Sequence, residues 1–180
     1  AFGDAGAIVT NDPDIAKKAK IFRNYGSEKR YHNQVVGANS RLDEIQAGLL
    51  RVRLKHLDEL CAEKSTLAKR YTENLSSKYF ECPKIAPGAT SIWHQYVIRS
   101  PYRNELMDFL SLHGIQTLIH YPIPPHLSEA YRYLGYKTGS FPITERYANE
   151  VLSIPLYNGM TLQEQDYVIQ YLNAFKPSQE

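Results

Sequence analysis

A long amphipathic helix beginning near Ser40 constrains the fold of this 180-residue chain more than any other feature. Apolar residues recur at helical spacing from Leu42 to Tyr71, and Ser40 with Asp43 forms a variant of the capping box. Roughly 35 helical residues span about 50 Å, more than the width of a small domain. The sequence therefore predicts a helix that bridges two domains. A coiled coil is the alternative, but the apolar stripe is two-sided and the charges beside it are irregular.

The segments on either side of this helix predict a domain over residues 1–78 and a second over residues 79–180. The first ten residues predict a turn and a short strand, and Asp12 with Pro13 predicts a helix that closes at Gly26. A polar loop follows over residues 27–38. The remainder predicts a small α+β domain with strands at 93–99, 115–119 and 152–155 and helices at 103–113, 128–134, 143–151 and 162–174.

Composition excludes several classes of function. With 21 basic and 19 acidic residues and no basic block longer than two, the chain lacks the basic face of a nucleic-acid-binding protein. No apolar run approaches the roughly 18 residues of a membrane span. Cys61 and Cys82 lack metal-ligand spacing, so no metal site is expected. No signal peptide is apparent, and these features together predict a cytoplasmic protein.

The opening residues predict that the chain is a fragment. Residue 1 is alanine, and a lone edge strand with no preceding partner is a poor start for a domain. A processed or tagged mature protein is the alternative.

Seven short segments keep their order and spacing along the chain: Gly3–Ile8, Arg23–Ser27, Asn39–Ala47, Trp93-His94, His120–Pro122, Phe141-Pro142 and Leu152–Leu156. Together they resemble the sugar aminotransferases of the DegT/DnrJ/EryC1/StrS family, which use pyridoxal phosphate (PLP). The resemblance implies an α/β fold of the fold-type-I PLP class, in its C-terminal part. That part comprises the end of the large domain, a long bridging helix and a small α+β domain. The segment from Gly135 onward is most similar to enzymes that make 3-amino-3,6-dideoxy sugars on dTDP.

The resemblance also implies an activity. Such an enzyme transfers an amino group from glutamate to a keto group of a nucleotide-linked deoxysugar, for polysaccharide or lipopolysaccharide biosynthesis. It works as a homodimer whose active sites are shared between subunits. The family's Schiff-base lysine lies just ahead of what is residue 1 here, so no catalytic residue is expected in this chain. Because a PLP lysine needs desolvation and a fixed cofactor, no resident lysine is expected to replace it, and the isolated chain is predicted to be inactive.

Two groups in the first domain carry implied binding roles. Asn39 resembles the asparagine that reaches across the dimer to the cofactor phosphate, and a simple cap at the helix start is its alternative. Arg30, Tyr31 and His32 occupy the family's loop that extends toward the partner's sugar-nucleotide site. A solvated loop is the alternative there.

Three residues of the second domain are further substrate-binding candidates. His120 and Tyr121 begin a proline-stiffened loop that resembles the family's sugar-contacting segment, and a structural turn with a buried tyrosine is the alternative. His94 adjoins the single tryptophan, and a core histidine is its alternative.

Other functions remain open. A PLP-dependent sugar dehydrase of the same fold has a histidine in place of the lysine, and that position lies outside this chain. A non-catalytic interaction or regulatory domain would explain the missing lysine differently. Two cysteines are too few for the iron–sulfur cluster of another dehydrase class. The apolar faces of the first strand and the long helix are expected to be exposed and to cause self-association.

Overall fold

The computed structural model describes residues 3–178, and the chain divides into two units between Leu57 and Asp58. This division falls within the predicted long helix, ahead of the predicted boundary after residue 78. The assignment of residues 1–78 and 79–180 to two domains of a parent enzyme stays a prediction.

The first unit contains two α-helices and one small hairpin. Helix α1 spans Pro13–Phe22, and the Asp12 carboxylate accepts hydrogen bonds from the first-turn N–H groups, as the Asp-Pro pair predicts. The helix ends ahead of the predicted Gly26. Strands β1 (Ser27–Lys29) and β2 (His32–Asn33) pair antiparallel. Helix α2 spans Glu44–Leu54.

The strand predicted before residue 10 is wrong. Residues 4–10 form no ladder with any other described segment, and the Val9 side chain is 94% exposed. A strand needs a neighbour to satisfy its backbone groups, and the described part of this unit supplies none here. The predicted exposure of apolar residues is confirmed for this segment and for α2, where Ile45, Val52 and Leu54 are exposed. Self-association stays a prediction.

The predicted helical stretch is present but interrupted. Helix α3 spans Leu57–Asn74, and Lys55 and His56 separate it from α2. The N–H groups of Lys55 and His56 donate to the carbonyls of Val52 (3.2 Å) and Arg53 (3.1 Å), three residues back. The α2 end is therefore tightened into 3₁₀ geometry. Helix α2 also begins at Glu44 instead of near Ser40, because Leu42 has a φ of +61° and Asp43 is extended, and neither conformation is helical.

Two glycines allow the backbone of the 23–40 segment to pack against itself. Gly26 has φ of +74°, and a Cβ there would lie 1.7 Å from the Val35 carbonyl oxygen. A Cβ on Gly37 would lie 2.1 Å from the Gly26 nitrogen. Neither position can hold a side chain without rearrangement. Because of this approach, the Ala38 N–H donates to the Phe22 carbonyl (2.8 Å) and the Ala38 carbonyl accepts from the Tyr25 N–H (3.0 Å).

The second unit is built on an antiparallel strand pair. Strands β3 (Tyr96–Arg99) and β4 (Val151–Ile154) run in register, with Tyr96 opposite Ile154. Single bridges extend the pair on both sides, from Glu81 to Arg99 and from Leu118 to Ser153. The strand predicted at 115–119 is thus reduced to one bridge. The helices are α3, α4 (Arg103–Leu112), α5 (Pro142–Glu150) and α6 (Leu162–Ala174), with 3₁₀ turns at Pro125–Leu127 and Glu129–Leu134. The last of these replaces the helix predicted at 128–134.

One apolar core holds the second unit together. Most of its buried residues come from α3, β3, α4, β4 and α6, and the others lie in the connecting segments. Gln165 of α6 is buried beside it, and its amide nitrogen donates to the Leu67 carbonyl of α3 at 2.7 Å. The amide oxygen accepts from Arg70 at 3.3 Å. The buried polar group is therefore satisfied at both ends, and it fixes α6 against α3.

Two fully buried tyrosines make this core sensitive to alkaline pH. Tyr71 and Tyr96 pack with ring centroids 5.2 Å apart, and burial raises the pKa of both phenols. Above the unfolded-state pKa of about 10, the unfolded chain loses these protons while the folded chain keeps them. We expect the free energy of unfolding to fall above that pH by up to about 1.4 kcal/mol per pH unit for each tyrosine.

Urea unfolding at several pH values between 8 and 12 measures this dependence. The Tyr71→Phe variant should show a slope smaller by one tyrosine's share, because other titrating groups are unchanged. Equal slopes in the variant and the parent chain would contradict the expectation.

Candidate functional site

Asn39 lies on the exposed edge of the packed 23–40 segment. Its backbone forms a bridge with Asn24, and its side chain is exposed. The amide oxygen accepts a hydrogen bond from Arg41 Nε at 3.1 Å. Within the described residues the amide nitrogen has no hydrogen-bond acceptor. Asp43, not Asn39, is the N-cap residue of α2, so Asn39 is not a simple helix cap.

A cavity of about 320 Å³ lies beside Asn39. Its lining comes from residues 4–6, residues 39–43 and Gln46. The Gly-Asp opening segment and the Asn39 segment, two of the segments that carry the resemblance, therefore line one cavity in the same chain. Asp4 and Asp43 add carboxylates to a lining that otherwise offers amide, guanidinium and backbone donors.

The hairpin of the first unit presents Arg30, Tyr31 and His32 together. The Arg30 guanidinium carbon lies 4.8 Å from the Tyr31 ring centroid, and Tyr31 is 84% exposed. His32 is the first residue of β2 and is also exposed. None of the three lines the cavity beside Asn39. The structure thus places a cation, a phenol and an imidazole at one exposed tip.

The base of this hairpin is anchored by polar contacts. Ser27 Oγ donates to Asn33 Oδ1 at 2.6 Å, and Lys17 Nζ lies 3.0 Å from a Glu28 carboxylate oxygen. The hydrogen bond from Lys17 lowers the pKa of Glu28, and a bond from Gln34 adds to it. The tip therefore extends from a fixed base.

Sequence reasoning missed a basic cleft in the first unit. A cavity of about 540 Å³ is lined by Lys17, Lys20, Arg23 and Arg41, with Glu28 as the acidic member. Arg23 Nη1 donates to the Arg41 carbonyl at 3.3 Å. The sequence predicts no role for these lysines, because no basic block is longer than two residues. Both arginines lie in segments that carry the resemblance, and this position is the signal from which the cleft could have been predicted.

His120 is held by two protein partners in the second unit. Its Nδ1 lies 2.9 Å from Ser153 Oγ, and its Nε2 lies 3.1 Å from the Gln95 amide nitrogen. An amide nitrogen only donates, so Nε2 accepts and Nδ1 donates to the serine. His120, Gln95 and Ser153 line a cavity of about 1080 Å³ together with residues of α4 and α6. The imidazole is therefore oriented at the wall of a large cleft.

Tyr121 and His94 lie on the surface near this cleft. Tyr121 is 74% exposed and sits edge-on to His120, with ring centroids 5.4 Å apart. The alternative of a buried tyrosine is wrong. His94 is exposed too, so it is not a core histidine, and its carbonyl accepts from Lys64 at 3.3 Å. His94 is absent from the lining of the His120 cavity.

Several large residues with a left-handed backbone conformation lie at, or next to, the site residues described above. Among the described residues, the non-glycine positions with positive φ are Tyr25, Tyr31, Leu42 and Trp93. Tyr31 is itself a candidate, while Leu42 follows Arg41 and Trp93 precedes His94. Large side chains in this conformation are strained, and such strain concentrates at functional sites. This observation supports the candidate residues independently of the resemblance.

Tyr31 offers a direct test of that strain. Left-handed geometry costs an L-residue roughly 1–2 kcal/mol, which glycine avoids at an entropic cost of about 0.5–1 kcal/mol. We expect Tyr31→Gly to leave the unfolding free energy unchanged or raise it by up to about 1.5 kcal/mol. The matched control is Lys29→Gly in the same hairpin, at an ordinary φ, which should be destabilising. Thermal unfolding compares the two, and an equal loss in both would contradict the strain.

The described residues offer neither a metal site nor a membrane segment. Across residues 3–178 no three His, Cys, Asp or Glu side chains cluster closely enough to hold a metal ion. No helix in that range combines the length and apolarity that a membrane crossing needs.

Comparisons with known proteins identify relatives of this chain. The model of the DegT/DnrJ/EryC1/StrS aminotransferase family matches residues 1–173. The chain is 47% identical over 175 residues to the erythromycin biosynthesis sensory transduction protein EryC1 of Saccharopolyspora erythraea, covering 97% of this chain and 48% of that protein. It is 44% identical over 156 residues to dTDP-3-amino-3,4,6-trideoxy-alpha-D-glucose transaminase of Streptomyces venezuelae, covering 86% and 41%. The chain thus spans about half the length of the curated relatives it matches.

Solved structures agree with this assignment. The crystal structure of S. venezuelae DesV matches with a TM-score of 0.87 and 40% identity, over 92% of this chain and 45% of that one. NtdA of Bacillus subtilis, with bound cofactor PMP, matches with a TM-score of 0.78 and 29% identity, over 91% and 40%. The predicted α/β fold of the fold-type-I PLP aminotransferases is confirmed. The chain belongs to the DegT/DnrJ/EryC1/StrS aminotransferase family.

Proposed function

We propose that this chain is part of a PLP-dependent aminotransferase that moves an amino group from glutamate to a keto group of a nucleotide-linked deoxysugar. Family membership and the named dTDP-sugar transaminase among its relatives support this proposal. The observation that carries it is the exposed Asn39 amide, whose nitrogen has no acceptor among the described residues and lies beside a cavity lined by the Gly-Asp opening segment.

The residues around Asn39 fit a phosphate group. The PLP phosphate is a dianion that accepts hydrogen bonds, and the Asn39 amide N–H₂ beside the cavity has no acceptor within the described residues. Asn39 would hold this phosphate in the active site of the partner subunit. When bound, PLP supplies the electron sink for amino transfer. The Schiff-base lysine would come from outside these 180 residues.

The hairpin tip would extend toward the sugar nucleotide in the active site of the partner subunit. Arg30 would pair with the diphosphate through charge-assisted hydrogen bonds, with Tyr31 and His32 as further donors. We assign His120, Tyr121 and His94 to the sugar. His120 suits this role because Gln95 and Ser153 fix its orientation, which limits the entropy lost on binding.

The full-length protein tests the activity. With PLP and glutamate alone, we expect about one equivalent of 2-oxoglutarate per active site, because a transaminase stops after its first half-reaction. Adding a 3-keto dTDP-sugar should then allow many turnovers and yield the amino sugar. Loss of water from the sugar without amino transfer would identify a dehydrase. No reaction and no PLP binding would favour a non-catalytic domain.

A mixing experiment tests the shared active site. Asn39→Ala and a variant lacking the Schiff-base lysine should each be inactive or weakly active alone. In a C₂ dimer with shared sites, each mixed dimer regains one intact site, so random mixing restores about a quarter of the sites. Activity that does not recover on mixing would contradict a residue acting in trans.

The isolated 180-residue chain is expected to form no Schiff base. Borohydride treatment with stoichiometric PLP should leave no lysine fully modified, because none of the described lysines is buried in a desolvated pocket. Mass spectrometry of the digested chain measures this. A stoichiometric phosphopyridoxyl adduct at one lysine would contradict the prediction.

A further inference from the structure

The orientation of the Asn39 amide decides whether it can serve a phosphate. A side-chain amide has an oxygen that only accepts and a nitrogen that only donates. A phosphate dianion only accepts. If the amide were rotated by half a turn, its oxygen would face the phosphate and repel it.

Arg41 selects one of the two orientations. Its Nε lies 3.1 Å from Asn39 Oδ1, and a guanidinium only donates. The amide oxygen is therefore held on the Arg41 side, and the two N–H groups point away from Arg41. Within the described residues those N–H groups have no acceptor, so they are ready for one.

Arg41 is itself fixed in place. Its carbonyl accepts from Arg23 Nη1 at 3.3 Å, and its guanidinium carbon lies 5.6 Å from the Tyr25 ring centroid. The next residue, Leu42, has φ of +61°. Asp4 and Asp43 line the same cavity, but within the described residues no carboxylate lies in ion-pair distance of Arg41. The guanidinium therefore stays committed to the asparagine.

We propose that Arg41 is a positioning residue that fixes the Asn39 amide with its donor end toward the cofactor phosphate. The inference rests on the proposed function, since it assumes that Asn39 meets this phosphate. Arg41 then acts through Asn39, and its loss leaves the amide free to rotate into the repelling orientation.

The test measures affinity for PLP and for pyridoxal, which has the same aldehyde and ring but no phosphate. In the full-length protein, Arg41→Met should weaken PLP binding about tenfold. Losing a hydrogen bond that supports a metal-ligating residue has an effect of this size in metal sites. Pyridoxal binding should not change. Arg41→Lys, which keeps the charge but not the Nε donor, should weaken PLP binding as much as Arg41→Met does. Arg51→Met, at an exposed position on α2, is the matched control and should bind PLP normally.

A double-mutant cycle separates positioning from direct contact. If Arg41 acts through Asn39, adding Arg41→Met to Asn39→Ala should cost no further PLP affinity. A further loss in that background would overturn the inference in favour of direct phosphate contact. Equal weakening of PLP and pyridoxal would overturn it in favour of a structural role, and normal PLP binding by both Arg41 variants would also overturn it. If the unmodified protein binds PLP no better than pyridoxal, the proposed function fails, and the inference fails with it.

Discussion

Replacing Gly26 with alanine is expected to disrupt the loop that carries Asn39. The new methyl group would lie 1.7 Å from the Val35 carbonyl oxygen, and the residue would have to keep a φ of +74°. Both neighbours in this contact are backbone, so no side-chain rotation relieves it. If the native loop is retained, we expect the free energy of unfolding to fall by more than about 4 kcal/mol. Otherwise we expect the loop to rearrange.

Amide hydrogen exchange and thermal unfolding measure the outcome. The N–H groups of Tyr25 and Ala38, which bond across the loop, should lose protection in Gly26→Ala. The matched control is Gly48→Ala, inside α2, where a Cβ meets nothing within 4 Å. That change should stabilise the helix by up to about 1 kcal/mol. Native protection of both amides in Gly26→Ala would contradict the expectation.

Tyr71→Ala is expected to be the most damaging single truncation in the second unit. The ring is fully buried against Tyr96, and the hydroxyl donates to the Pro155 carbonyl at 2.9 Å. Removing a buried aromatic ring costs about 3–5 kcal/mol in comparable cores. Tyr71→Phe keeps the ring and loses only the hydrogen bond, so it should cost about 1 kcal/mol.

Urea unfolding of the two variants separates packing from hydrogen bonding. Tyr133→Ala, at a tyrosine that is 79% exposed, serves as control and should change stability by less than about 0.5 kcal/mol. If Tyr71→Ala costs no more than Tyr71→Phe, the packing of the ring contributes little to the stability of the second unit, contrary to this expectation.

Local signals explain which elements could be predicted. Helix α6 has its predicted bounds because Thr161 and Glu164 form a complete capping box at its start. Helix α1 follows from Asp12 and Pro13. The break at Lys55 and His56 could not be predicted, because neither glycine nor proline marks it. The first strand was wrong because a short apolar run does not by itself supply a pairing neighbour.

The candidate site was predictable only as a set of residues. The segments around Asn39 and His120 could be found because their residue types keep a recognisable order. The bond from Arg41 to Asn39, and the pairing of Gln95 and Ser153 with His120, depend on tertiary contacts that no local pattern carries. Tyr31 and Leu42 have a left-handed backbone, but neither is a glycine or an asparagine, the residues that usually signal this conformation.

The contact of α6 with α3 determines when the second unit can fold during synthesis. Gln165 bonds to the Leu67 carbonyl across 98 residues, and Asn173 bonds to Asn74 across 99. A nascent chain that has been made only as far as α5 still lacks the α6 part of its core. The apolar face of α3 therefore stays exposed to water until α6 emerges from the ribosome. Contacts of such long range slow folding and prolong exposure to aggregation. A premature stop before residue 162 should therefore yield a product for chaperones and proteases, while the hairpin and α1 can close as soon as they are made.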